Sequence, residues 1–161
     1  MAPKYRFGKN TVLTAAPVIA FAADGSATKP GAAAFKVLCL HQEVSVGLEN
    51  GTMDIENFCT GGRTVSVRDG TQSGTMDLGN TTWVEDDDVL KMFEDAAFSK
   101  TETGGYVWIQ VCPLGIGSGK PVYDLLIDVR TWKITSPAKG AITVEHDLSV
   151  LEGPTRGTQA A

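Results

Sequence analysis

The residues able to do chemistry are few and scattered. Histidine occurs only as His41 and His146, and cysteine only as Cys39, Cys59 and Cys112. A structural zinc site needs close-spaced thiolates or imidazoles, and no C-x-x-C pair exists. Three widely spaced cysteines fit reduced thiols. No G-x-S-x-G elbow or cysteine signature supplies a nucleophile for a histidine to activate. His146 alternates with apolar neighbours and is expected as a hydrogen-bonded core side chain. Asp86, Asp87 and Asp88 point in different directions at a helix start, so they read as caps rather than metal ligands. The stretch Gly115–Pro121 approximates a phosphate loop. However, Leu114 and Pro121 stand where Gly and Ser/Thr are required, and a strand follows instead of a helix. It reads as a glycine-rich hairpin loop. The expectation is no catalytic residue, no cofactor and no metal.

With 161 residues, 42% of them hydrophobic and 20% charged, the chain can fold around its own core. The net charge is −5 and the basic residues are dispersed, which excludes a tight nucleic-acid grip. The 18 Gly and 7 Pro suit many turns between strands. The apolar run from Val12 to Ala23 is short and interrupted by Pro17, so neither a membrane span nor a signal peptide is expected.

Residues 1–10 read as an exposed arm, Thr11–Ala22 as an edge or bulged strand, Asp24–Gly31 as a loop and Ala34–Gly47 as a strand. Residues 48–74 read as a long polar loop, broken by Asn50-Gly51, Gly61-Gly62, Asp69-Gly70 and Gly74. Thr75–Val84 is another strand. Then the period changes. Over Glu85–Ser99, Val89, Leu90, Met92, Phe93, Ala96 and Ala97 share one helical face, with carboxylates crowding the first turn. Strands follow at Tyr106–Cys112, Val122–Ile134 and Ala141–Leu151, and residues 154–161 form a tail expected to be mobile.

The last two strands alternate cleanly. Tyr123, Leu125, Ile127 and Val129 oppose Asp124, Asp128 and Arg130. Ile142, Val144, His146, Leu148 and Val150 oppose Thr143, Glu145, Asp147 and Ser149. Period 2 implies an antiparallel sheet with one wet, mostly acidic face, which the residues alone read as solvated. Trp83, Trp108 and Trp132 read as core or interface anchors.

One arrangement is more specific. Thr52-Met-Asp-Ile-Glu-Asn-Phe-Cys-Thr-Gly-Gly-Arg63 precedes Ser73-Gly-Thr-Met-Asp-Leu-Gly-Asn-Thr-Thr-Trp83, and the acidic-capped helix comes next. The close is Ser136-Pro-Ala-Lys-Gly-Ala141, leading into the alternating strand. This order resembles the major tail tube proteins of long-tailed, non-contractile bacteriophages over residues 11–153. The resemblance implies a mainly β protein: an antiparallel β-sandwich or barrel, one flanking α-helix and a long inter-strand loop. It implies hexameric rings that stack into a tube, with sheets joined around the lumen. The 48–74 loop would contact the next ring, with Asn50, Asp54, Glu56, Arg63, Arg68 and Asp69 as stacking residues. Asp124, Asp128, Glu145 and Asp147 would face the lumen and repel phosphate. Such a protein is a structural virion component made in the host cytoplasm, not an enzyme. Its expected partners are copies of itself and the tape-measure, tail terminator and distal tail proteins. DNA passes through without tight binding, and no membrane is involved. A ligand-binding or enzymatic bacterial β-barrel and a decoration protein are the alternatives. A gene-transfer particle or a secretion tube shares the build.

Overall fold

The computed structural model describes residues 11–38, 41, 43–55, 65–101 and 104–160. The elements run β1 (Val12–Pro17), β2 (Lys36–Leu38), β3 (Ser45–Ile55), β4 (Val65–Asp77), β5 (Thr81–Thr82), α1 (Asp88–Phe98), β6 (Tyr106–Cys112), β7 (Pro121–Thr135) and β8 (Thr143–Thr158). All strands belong to one antiparallel sheet in the order β2-β1-β6-β7-β8-β4-β3, with β5 also on β8. The mainly β class and the single helix expected above are both present.

Several boundaries moved, each for a local reason. The helix starts at Asp88 because Asp87 caps it: Val89 N–H and Leu90 N–H donate to the Asp87 carboxylate at 3.0 and 2.9 Å. Glu85 and Asp86 therefore stand outside it. The strand expected over Ala34–Gly47 is divided: β2 stops at Leu38, and β3 begins only at Ser45. Between β4 and β5, Gly79 adopts φ 58° and its N–H donates to the Asp77 carboxylate at 2.7 Å. That left-handed glycine makes the turn. The tail over 154–161 is corrected as well, since β8 runs to Thr158 and pairs with β7 as far as Pro121.

The largest correction concerns residues 48–74. The described residues among them, 48–55 and 65–74, are strand rather than loop. They are the two arms of a hairpin, paired from Ser45↔Asp77 to Ile55↔Val65. The apparent turn signals sit inside the ladder. Gly47 faces Thr75, Gly74 faces Leu48, and Asp69-Gly70-Thr71 bulge opposite Gly51, where the register shifts. Glycines in a strand mark bulges and close approaches as readily as turns.

The sheet must curl. Leu38 of β2 and Met76 of β4 belong to one core cluster, yet five inter-strand steps separate their strands, about 24 Å if the sheet were flat. The chain leaving β2 also returns across the gap: His41 bridges to Thr81, and Glu43 N–H donates to the Leu78 carbonyl. Irregular register between Asp124 and Thr131 bends the β7–β8 ribbon. Inside the curl, Val89, Leu90, Phe93 and Ala96 of α1 pack on Leu13, Val107, Ile109, Leu125, Ile127 and Leu148. A second, smaller cluster of Ala16, Trp108 and Leu126 lies on the opposite face, against Val18, Ala27, Ala34, Phe35 and Tyr106.

His146 is in the core, as its alternation requires, but it is not hydrogen-bonded. Its ring packs 5.1 Å from that of Phe93, and neither Nδ1 nor Nε2 has a polar partner. Burial lowers its pKa to about 4. The folded form holds the imidazole neutral and the unfolded chain protonates it near 6.5, so this contribution is complete above about pH 6.5 and is lost as pH falls toward 4. His146→Phe should remove that loss. Between pH 7.5 and pH 5 the parent should lose roughly 2 kcal/mol more than the variant in urea unfolding, from about 1.36 kcal/mol per pH unit below 6.5. Equal losses would show that His146 does not titrate on unfolding.

Candidate functional site

Two surfaces are built from residues that the sequence singled out. The first is the sheet face turned away from α1. Leu125, Ile127 and Val129 point to the main core, so the alternating Asp124, Asp128 and Arg130 point the other way. On β8, Val144 and Leu148 are buried in the core side, so Glu145 and Asp147 join the same opposite face. The ladder places Asp128 against Ser149, Thr131 against Asp147 and Lys133 against Glu145. All the acids expected on one wall are therefore on one face.

They do not stand as bare acids. Asp124 is the most covered, with its side chain 16% exposed, and it receives Lys29 Nζ at 2.6 Å. Gln110 Nε2 donates to the other oxygen of Asp124 at 2.8 Å, and Thr14 donates to Gln110 Oε1 at 3.3 Å. A polar row thus crosses β1, β6 and β7 beneath the segment carrying Lys29. Arg130 Nε lies 3.3 Å from Asp128, and Lys133 Nζ lies 2.9 Å from Glu145. Among the described residues, Asp147 alone of the four acids makes no ion pair. Sequence reasoning missed Lys29, Lys133 and Gln110. Lys133 and Glu145 each lie two residues inside the strand ends Thr135 and Thr143, but about the Ser136–Gly140 turn read from the sequence their distances differ, so the pair was not accessible. Lys29 carries no local signal, since nothing in its loop says which strand it will cross.

The second surface is the β3–β4 hairpin. It joins β8 only through Gly74↔Val150, Thr75↔Ser149 and Met76↔Leu148. Beyond that short ladder β4 and β8 diverge, and Leu48, Glu49, Asn50, Thr52, Arg68, Gln72 and Ser73 are exposed. Of the expected stacking residues, Asn50 accepts a hydrogen bond from Gln72 Nε2 at 3.2 Å. Asp54 pairs with Ser66 and Arg68 with Thr52 in the ladder, and Asp69 lies in the bulge. Glu56 and Arg63 lie outside the described residues.

The remaining chemical candidates do not assemble into a reaction centre. The described residues contain no group of three or more His, Cys, Asp or Glu placed to hold a metal ion. Cys112 is buried, and burial together with the Asp124 charge pushes its thiol above the usual range, which disfavours the reactive thiolate. Cys39 and Cys59 lie outside the described residues. The Gly115–Lys120 loop is a hairpin connection with left-handed Gly115 and Gly119. Gln159 holds it: its Oε1 accepts from Gly117 N–H at 2.8 Å, and its Nε2 donates to the Gly115 carbonyl at 3.0 Å. Among the described residues, no helix is long and apolar enough to cross a membrane.

No protein-family model and no curated protein matches the sequence. Solved structures do match in shape. The chain superposes on one from the tail of an empty GTA particle with C6 symmetry, at a TM-score of 0.64 and 12% identity, covering 97% of this chain and 100% of that one. A chain from the virion of a native gene transfer agent (GTA) particle gives 0.61 and 12%, with the same coverage. A chain of the SPP1 tail tube gives 0.62 and 14%, covering 96% of this chain and 80% of that one. The fold is that of a tail-tube chain. At such identities the shared property is the path of the backbone.

Gly74 is the point where the hairpin is anchored. A Cβ there would fall 2.7 Å from Val150 Cβ and 2.8 Å from Leu48 Cδ2. Gly74→Ala should therefore cost about 1–3 kcal/mol by overpacking and speed amide exchange through β3 and β4. Gly47→Ala would meet only Thr75 Oγ1 at 3.6 Å and should shift stability by less than about 1 kcal/mol. Equal effects of the two changes would show that the contact at Gly74 does not seat the arm.

Proposed function

We propose that this chain is the repeating subunit of a phage-type tail tube: six copies close a ring, and rings stack into a conduit for genome delivery. The observation that carries this reading is the shared fold over nearly the whole chain with tail chains, one of them from a C6-symmetric tail. The subunit's own physics supports it. Among the described residues, the eleven-residue β3 stands at the end of the sheet order with β4 as its strand partner, so its other edge carries a row of backbone donors and acceptors without a ladder. Soluble monomers rarely tolerate such an edge, whereas an assembly covers it. In this reading the protein is structural and non-enzymatic. The hairpin bearing Asn50, Asp54, Arg68 and Asp69, together with Glu56 and Arg63 of the segment that joins its strands in sequence, contacts the neighbouring ring. The face bearing Asp124, Asp128, Glu145 and Asp147 lines the passage. Tape-measure, terminator and distal tail proteins meet the tube inside and at its ends.

Negative-stain microscopy of the concentrated chain should show rings and tubes; a monodisperse monomer at every concentration would sink the reading. Asn50→Lys combined with Arg68→Glu changes exposed hairpin positions. It should leave unfolding within about 0.5 kcal/mol of the parent while abolishing long tubes. Tubes of normal length would remove the hairpin from the ring contact. Particles carrying Glu145→Lys and Asp147→Lys should assemble but deliver DNA more slowly, and unchanged delivery would place the passage on another face.

A further inference from the structure

An acidic wall explains why DNA is not retained, but this face is not purely acidic. Its bases are Lys29, Arg130 and Lys133, with side chains 41%, 57% and 67% exposed, open enough to reach a phosphate. Each lies within 3.3 Å of a carboxylate, and each pair arises in a different way. Lys29 comes from a loop that crosses over β7. Arg130 meets Asp128 two residues back along the same strand. Lys133 meets Glu145 across the β7–β8 ladder.

The bases also have structural duties. Lys29 lies 6.0 Å from the centroid of the Phe35 ring and ties its loop to β7 through Asp124. Lys133 closes the ribbon near its turn. They cannot simply be absent from a face that DNA is to pass.

We infer that Asp124, Asp128 and Glu145 act as intramolecular masks. Each cancels the charge of one base on this face, so that a polyphosphate backbone finds no cation to condense on. Asp147 adds the remaining negative charge. This rests on the tail-tube reading for its biological meaning, but the masking is a property of the single chain. A phosphate approaching an unmasked lysine or arginine releases counterions and is held. The same phosphate approaching a base with a carboxylate 3 Å away meets a dipole, whose field fades within about one Debye length, near 8 Å at physiological salt.

The test uses the full chain and short duplex DNA at low ionic strength, read by fluorescence anisotropy. Asp128→Asn with Glu145→Gln unmasks two bases and leaves the more buried Asp124 row intact. Glu85→Gln with Asp95→Asn makes the same change in net charge at exposed sites near α1 and breaks no ion pair, leaving Lys91 on Asp86. The first variant should bind DNA about tenfold more tightly than either the parent or the second variant, with a log–log salt slope steeper by about 2, reflecting two freed cations. Adding Arg130→Gln and Lys133→Gln should return affinity to the parent's. Equal gains in the two acid variants would reduce the effect to net charge and overturn the proposal, as would no gain in the first. Unmasked binding by a chain that never forms rings would instead leave masking intact and reject the tail-tube reading.

Discussion

The pairing of Pro121–Thr135 with Thr143–Thr158 is the constraint on which the rest depends. Nearly every other element is hung from that ribbon: β6, and through it β1 and β2, on the β7 side, and β4 and β5 on the β8 side. The helix packs against it as well. Register is what makes the ribbon unforgiving. A slip of one residue would turn Asp128, Glu145 and Asp147 into the core and Ile127, Val144 and Leu148 out of it. Burying an unpaired carboxylate costs several kcal/mol, so the alternation that marks the wet face also fixes how the two strands meet.

β6 shows itself as an apolar run buried on both faces, whereas alternation is why β7 and β8 were legible without coordinates. Each of these two strands declares its faces in its own residues, and the helix declares its own by a change of period at Val89. The hairpin was illegible for the opposite reason. Between its core-packed base at Val46 and Met76 and Val65–Arg68, its strands mix glycine with polar residues, and Leu48, Glu49, Asn50, Thr52, Gln72 and Ser73 are exposed, so no buried face imposes an alternation there. Periodicity records burial, and where nothing is buried there is no period to read. The masked acids fall between these cases. Their common face could be read, but Lys29 belongs to a segment whose position over β7 is a tertiary fact. The extension of β8 past Leu151 was hidden by Gly153 and Pro154, residues that usually end strands and here lie within one.

The two clusters divide the labour of the sheet. The main core holds the curl together from within. The smaller one, around Trp108 and Leu126, lets the Val18–Phe35 segment lie on the outer face and brings Lys29 to Asp124. Trp108 pays for this with an indole N–H that has no partner, a local cost accepted to pack a large side chain under the segment. Stability and surface chemistry are therefore joined: the contacts that seat the loop also decide which charges the face presents.

The attachment of the hairpin has a mechanical side. An arm of eleven and thirteen residues is rooted in a ladder of three, so it is a lever with a soft root and a stiff shaft. In a stack of copies joined through such arms, curvature would be absorbed at the roots, each rotating a little, while the walls between them kept their shape. A long filament could then bow in flow without kinking its bore.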